Sequence, residues 1–224
     1  GIACSLVTSG FNLTNDLVKL LLECVAYVFL SVDGAKRETH EKVRGSNTWE
    51  LVEQASKLFT EAGLEFSTIM AFSKLNFREI GGYVKLSASL GARSACAIPV
   101  MPSGRASFSL VLSCEELLQA IDLACNAAEE SGFPTSFWCT PFGYLHRTSK
   151  FVGFGGCRNW SCMDVDPEGN TLLCDVIDVR VGSVKNKSFE EAVSEYVSSE
   201  LYKLVSRPKL SEPCSSCPIR EYCK

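Results

Sequence analysis

No long run of lysine or arginine occurs in the chain, and the formal net charge is −4. That argues against a nucleic-acid or membrane-surface role. No apolar stretch is long enough to span a bilayer; the longest, around Leu20 to Val32, is short and contains Glu23. No signal peptide is visible, and the chain opens on Gly1 inside an apolar run, Ile2 to Val7, which reads as a cut through a larger protein. Histidine is nearly missing: His40 and His146 stand alone, so neither pairs by spacing with another imidazole. His40 sits in a charged stretch that reads as a loop, where a structural role fits better than a catalytic one. No internal repeat or low-complexity segment stands out.

Cysteine is abundant instead, with 12 in 224 residues. Without a secretion signal, ligation in a reducing cytoplasm explains them better than disulfides. Six cluster in the last third of the chain. Cys157, Cys162, Gly169 and Cys174 give C-x11-G-x4-C, and Cys214, Cys217 and Cys223 give C-x2-C-x5-C. Thiolates this close, with turn-formers between them, suit a metal or an iron–sulfur centre better than packing. Gly169 follows Asp-Pro-Glu, a tight-turn composition between two strand-like runs. Pro218 follows Cys217 and stiffens the second loop. Structural zinc stays open as an alternative, although two paired C-x2-C elements would be its usual form. Cys4, Cys24, Cys96, Cys114, Cys125 and Cys139 have no ligand spacing and read as small buried hydrophobes.

The first 132 residues alternate strand-like and helix-like runs. Strands are expected over residues 2–8, 26–32, 65–72 and 94–100. Helices are expected after Thr14, after Asn47 with Glu50 as a capping pair, after Asn76 with Glu79, and after the capping box Ser113/Glu116. Gly81-Gly82 weakens the third of these. Four such units imply a parallel sheet with right-handed crossovers and barrel-like curvature. The composition changes from Thr135, which places a domain boundary within 135–150. Beyond Cys174, a short strand and turn are expected over 175–184. One amphipathic helix is expected over 189–205, with Ala192, Val193, Tyr196, Val197 and Leu201 inward.

Two family resemblances attach to these residues. The cysteine array resembles the SPASM domain, the auxiliary-cluster module of many radical S-adenosylmethionine (SAM) enzymes, up to the point where the chain stops at Lys224. The earlier part resembles the radical SAM barrel. Val7-Thr8-Ser9-Gly10 is close to that family's T-N-G, and Leu30-Ser31-Val32-Asp33-Gly34 to its S-x-D-G. His40 to Gly45 matches H-x3-R-G, and Pro102 to Ala106 matches P-x-G-R. The implied fold class is α/β: the C-terminal part of a partial (β/α)6 radical SAM barrel over 1–140, strands 3 to 6, followed by a small α+β SPASM-like domain over 141–224. The family's C-x3-C-x2-C loop occurs nowhere in this sequence, so the chain alone is not expected to cleave SAM. Some similarity to anaerobic sulfatase maturases is also present.

The resemblance implies the chemistry. A deoxyadenosyl radical made from SAM takes a hydrogen atom from a substrate, usually a peptide or protein, otherwise a cofactor or haem precursor. Ser31, Asp33 and Arg44 would contact SAM; a simple Asp-Gly turn and a solvated arginine are the alternative. Cys157, Cys162 and Cys174 would hold one auxiliary 4Fe–4S cluster, and Cys214, Cys217 and Cys223 a second. Asp175, directly after a ligand cysteine, would accept the substrate proton; otherwise it is a surface residue. Gly104-Arg105 could be no more than a turn. The implied partners are a peptide or small-molecule substrate and a reductant such as ferredoxin or flavodoxin, with no nucleic acid or membrane. The competing reading is a non-catalytic iron–sulfur or zinc module for interaction or electron transfer.

Overall fold

The computed structural model describes residues 3–24, 27–156, 162–174 and 176–220. Two compact units are present, one formed by Gly1–Pro102 with Ala106–Gly155, the other by Ser103–Arg105 with Gly156–Lys224.

The first unit is a parallel six-stranded sheet in sequential order. Its strands are β1 (Ser5–Thr8), β2 (Tyr27–Ser31), β3 (Phe66–Phe72), β4 (Ala95–Pro99), β5 (Thr135–Phe137) and β6 (Val152–Phe154). The crossovers carry α1 (Asn15–Glu23), α2 (Arg37–Arg44), α3 (Trp49–Ala62), α4 (Ile80–Ser89), α5 (Cys114–Ser131) and the single turn α6 (Gly143–His146). The sheet has two more strands than the four strand–helix units legible by pattern, because β5 and β6 are only three residues long each. They carry the first unit on to Gly155.

Alternation along the strands sets two faces. Val28, Leu30, Phe66, Met70, Phe72, Ala95, Ala97 and Phe137 are fully covered, forming the core with the helices. The opposite face carries Tyr27, Phe29, Ser31, Ser67, Cys96, Ser136 and Trp138. On that face the rings of Phe29 and Trp138 meet edge to face, centroids 5.3 Å apart. Phe29 stands on β2 and Trp138 directly follows β5, strands three apart in the sheet order. A flat sheet would separate those strands by about 14 Å, so the sheet curls strongly with this face concave. Curvature of this kind makes a partial barrel.

Local chemistry explains the helix ends. Thr14 Oγ1 accepts from the Leu17 N–H, and Ser113 forms a full capping box with Glu116. Asn47 does not cap α3. It lies in the left-handed region (φ 63°), and Thr48, without a side-chain bond to the helix, takes the cap position. Asn76 opens only a 3₁₀ turn, Phe77–Glu79, ahead of α4. The glycine pair there has a packing reason: a Cβ on Gly81 would meet the Leu123 carbonyl oxygen of α5 at 3.0 Å, and one on Gly82 the Ala35 Cβ at 2.9 Å.

The second unit holds an antiparallel three-stranded sheet, β7 (Asp164–Val165), β8 (Asn170–Leu172) and β9 (Arg180–Ser183), and two helices, α7 (Phe189–Ser198) and α8 (Glu200–Ser206). A single helix over 189–205 does not form. Ser199 adopts an extended backbone (φ −65°, ψ 147°) and caps α8 through its side chain. The break leaves Val197 and Leu201 about 40% exposed, while Ala192 and Tyr196 are buried.

Candidate functional site

In the first unit, a polar cluster gathers where β2 and β3 end, the edge at which parallel α/β folds place ligands. Asp33 is its centre. One carboxylate oxygen accepts from the Ala71 N–H at 2.7 Å, and the other from Arg44 Nε at 2.6 Å. The backbone of Asp33 is held as well: its N–H donates to His40 Nδ1 at 3.1 Å, and its carbonyl accepts from Asn76 Nδ2 at 3.0 Å. Glu79 fixes the following loop by accepting from the Ala35 N–H and from Thr39 Oγ1. Gly34 is required at this turn, since a Cβ would lie 2.7 Å from the His40 nitrogen. Asp33 is almost wholly buried, with a side chain 3% exposed, against 30% for Arg44.

The bonding leaves a defined set of free groups. Arg44 spends only Nε, so its two terminal nitrogens have no hydrogen bond among the described residues. The Ser31 hydroxyl likewise has no internal partner there. A hydroxyl and a forked guanidinium at one strand end can receive the ribose and carboxylate of a small ligand. Asp33, with both oxygens engaged, acts as the orienter of Arg44.

His40 is not in a loop: it lies on α2, one turn before Arg44, and is 1% exposed. Its Nδ1 accepts from Asp33, so a neutral ring carries its proton on Nε2, which is buried without a hydrogen bond. Burial pushes the His40 pKa below the ordinary histidine value, and the nearby Asp33 charge opposes this only in part. The unfolded chain therefore binds a proton that the folded one refuses. Stability should fall as pH drops below about 6.5, with a slope of up to about 1.4 kcal/mol per pH unit. Urea titrations at pH 7.5 and 5.5 check this: His40→Asn, which keeps an acceptor and cannot titrate, should show the shallower slope. Equal slopes would remove His40 from the account.

In the second unit the described cysteines, Cys162, Cys174, Cys214 and Cys217, lie in turns or just outside strand ends. Gly169 (φ +79°) closes the turn between β7 and β8, its N–H donating to the Asp166 carbonyl at 2.9 Å. The Asp166 carboxylate accepts from the side chain and N–H of Asn170 and from the Glu168 N–H, and these bonds hold its pKa down. Asp164 pairs with Leu172 at the open end of this hairpin. Cys162 lies two residues before that pair and Cys174 two residues after it, so the hairpin brings both to the same end. The Cys214–Cys217 segment is a closed turn: the Cys217 N–H donates to the Cys214 carbonyl at 3.3 Å. Glu212 accepts from the hydroxyls of Ser215 and Ser216, and Arg220 donates to the Ser215 carbonyl at 2.8 Å. Among the described residues no three histidine, cysteine, aspartate or glutamate side chains converge as a metal site. Cys157, Cys223 and Asp175 lie outside the described residues.

Comparison with known proteins assigns the two segments. The radical SAM superfamily profile matches residues 1–86, and the SPASM iron–sulfur cluster-binding domain matches residues 157–218. Over these two segments the chain is similar to the radical SAM superfamily and to the SPASM domain. An AdoMet-dependent heme synthase of Methanosarcina barkeri is 24% identical over all of this chain and 68% of its own length. The PqqA peptide cyclase of Methylocella silvestris is 21% identical over 99% of this chain and 61% of its own. Among solved structures, anSMEcpe with bound AdoMet and Kp18Cys peptide shares the fold with a TM-score of 0.71 at 18% identity, covering all of this chain and 65% of that one. SuiB of Streptococcus suis, bound to the precursor peptide SuiA, gives 0.72 at 14% identity over 99% of this chain and 54% of its own. The chain thus spans between about half and two thirds of these relatives.

The cofactors of a radical SAM–SPASM enzyme are 4Fe–4S clusters and SAM. The structure brings Ser31, Asp33 and Arg44 to one strand end, and Cys162 and Cys174 to one hairpin end. Gly104 is a left-handed turn (φ +59°), and Arg105 beside it is exposed and unbonded among the described residues. Of the six other cysteines only Cys96 and Cys125 are buried; Cys4, Cys24, Cys114 and Cys139 are exposed. Burial raises the thiol pKa of Cys96, and that of Cys125 to about 11, so neither is a ready thiolate. Pattern reading missed the roles of Asn76 and Glu79, which it assigned to a helix start. No described helix is long and apolar enough to cross a membrane.

Proposed function

We propose that this chain carries the SAM-orienting wall and the auxiliary-cluster segment of a radical SAM enzyme that modifies a peptide. The observation that carries the reading is the β7–β8 hairpin, which delivers Cys162 and Cys174 to one end, in the same unit as the closed Cys214–Cys217 turn. The donor set fits iron–sulfur ligation: thiols alone, at strand ends and in a preformed turn. Cys157, Cys162 and Cys174 would hold one cluster, and Cys214, Cys217 and Cys223 the other. When bound, such clusters supply one-electron transfer and open coordination to the reaction. The protein's own part is positional. Ser31 and the free arm of Arg44 hold SAM by its ribose and carboxylate, Asp33 aims Arg44, and Asp175 takes the substrate proton.

A peptide substrate is supported by the PqqA peptide cyclase and by the peptide-bound anSMEcpe and SuiB structures. A haem precursor is the second reading, carried by the heme synthase relative. A ferredoxin- or flavodoxin-type reductant and a cytoplasmic setting accord with exposed thiols that need reducing conditions. Anaerobic reconstitution, iron and sulfide analysis and EPR test the reading. Iron and sulfide in equal amounts with cluster signals are expected, and Cys214→Ala with Cys217→Ala should remove one centre's share. Stoichiometric zinc without sulfide would sink it in favour of a zinc module.

A further inference from the structure

Tyr196 is buried, at 2% exposure, on the inner face of α7. Its hydroxyl donates to the backbone carbonyl of Cys162 at 3.0 Å, across 34 residues of sequence. The ring is itself held, by Tyr202 with centroids 5.0 Å apart. α7 starts from a complete capping box, Ser188 with Glu191, so the tyrosine projects from a well-anchored helix. We propose that Tyr196 is a positioning residue for the first auxiliary cluster: it clamps the Cys162 peptide and thereby fixes the direction of that thiolate. The inference rests on Cys162 being a ligand of that cluster.

The hairpin turn at Gly169 sets where Cys174 ends up, since Cys174 follows β8 closely. Cys162 lies ahead of β7, a strand of only two residues. So short a ladder restrains its own upstream end poorly. A part-buried hydrogen bond from another element adds restraint at Cys162, and neighbours that orient ligands typically change metal affinity 10–100-fold when removed. A pocket of about 330 Å³ lies beside the clamp, with Cys162, Met163, Tyr196 and Tyr202 on its wall. Water in that pocket can solvate the Cys162 carbonyl when the hydroxyl is removed. Tyr196→Phe should therefore fold, keeping the ring and losing the hydroxyl's bond to the Cys162 carbonyl.

The experiment uses the complete protein, reconstituted anaerobically, with iron loss to a chelator followed in time and EPR recorded on the reduced protein. Cys162→Ala marks the share of iron belonging to the first cluster. Tyr196→Phe should load fully and then lose that same share about 10–100-fold faster than wild type, with an altered EPR signal from that centre alone. Tyr83→Phe, which deletes a buried hydroxyl in the first unit, should lose iron at the wild-type rate. That control separates the clamp from general destabilisation. Wild-type kinetics and an unchanged signal in Tyr196→Phe would overturn the clamp while leaving the cluster reading intact. Full iron retention in Cys162→Ala would overturn both.

Discussion

Asp175→Asn in the complete protein is expected to keep cleaving SAM while product formation falls by about two orders of magnitude or more, the usual worth of a positioned base. Removing a hydrogen atom from a substrate and then an electron leaves a cation that must shed a proton. A carboxylate next to the radical site can receive it; an amide of the same size cannot. Asp175 follows Cys174 directly, and Cys174 is half-buried at the open end of the β7–β8 hairpin. In sequence, one peptide bond separates Asp175 from that cysteine. Asp178 supplies the control. It is exposed and closes the neighbouring turn by donating its N–H to the Cys174 carbonyl at 3.0 Å, in a left-handed conformation (φ 51°) that asparagine tolerates. Asp178→Asn should therefore be neutral. Deoxyadenosine and product are quantified in the same reaction, so the two variants can be compared on the ratio. A wild-type ratio in Asp175→Asn would make it a surface residue.

What was legible in the sequence follows from the range of each signal. The helices after Thr14 and Ser113 could be read because capping is local and involves residues three apart. The Asp166–Gly169 turn was equally local, and with it the hairpin that gathers two cysteines. β5 and β6 escaped because three residues are too few to show a period. The split of the last helix at Ser199 escaped because its apolar spacing continues unbroken through the cap. Asn76 and Glu79 escaped for a different reason. Their partners, Asp33, Ala35 and Thr39, lie about 40 residues away on another element. His40 was misplaced in a loop although His40 and Arg44 have the one-turn spacing of a helix face. The charge of the surrounding residues hid that spacing, since a hydrophobic stripe is absent. Tyr196 was placed correctly as an inward residue, but no spacing shows that its hydroxyl meets Cys162.

The roles of Asp33 and Arg44 can be separated by a double-mutant cycle on SAM affinity and stability. Arg44→Gln removes the free guanidinium arm, and affinity should fall about 10–100-fold, the worth of a charge-assisted hydrogen bond of about 1.5–3 kcal/mol. Asp33→Asn should also weaken SAM, although both of its oxygens are committed, to the Ala71 N–H and to Arg44 Nε. The amide oxygen can still serve Ala71, but the amide nitrogen cannot accept from Arg44, and the guanidinium swings free. Its fork is then no longer preorganised, and the ligand must order it on binding. In the Arg44→Gln background nothing remains to aim, so Asp33→Asn should cost little further affinity. Thermal unfolding should show the same non-additivity, with an interaction energy of about 1–3 kcal/mol, as for groups that share a hydrogen bond. A full and additive loss of affinity from Asp33→Asn in the Arg44→Gln background would mean that the carboxylate meets SAM directly and that the pair seen in the structure opens when SAM binds.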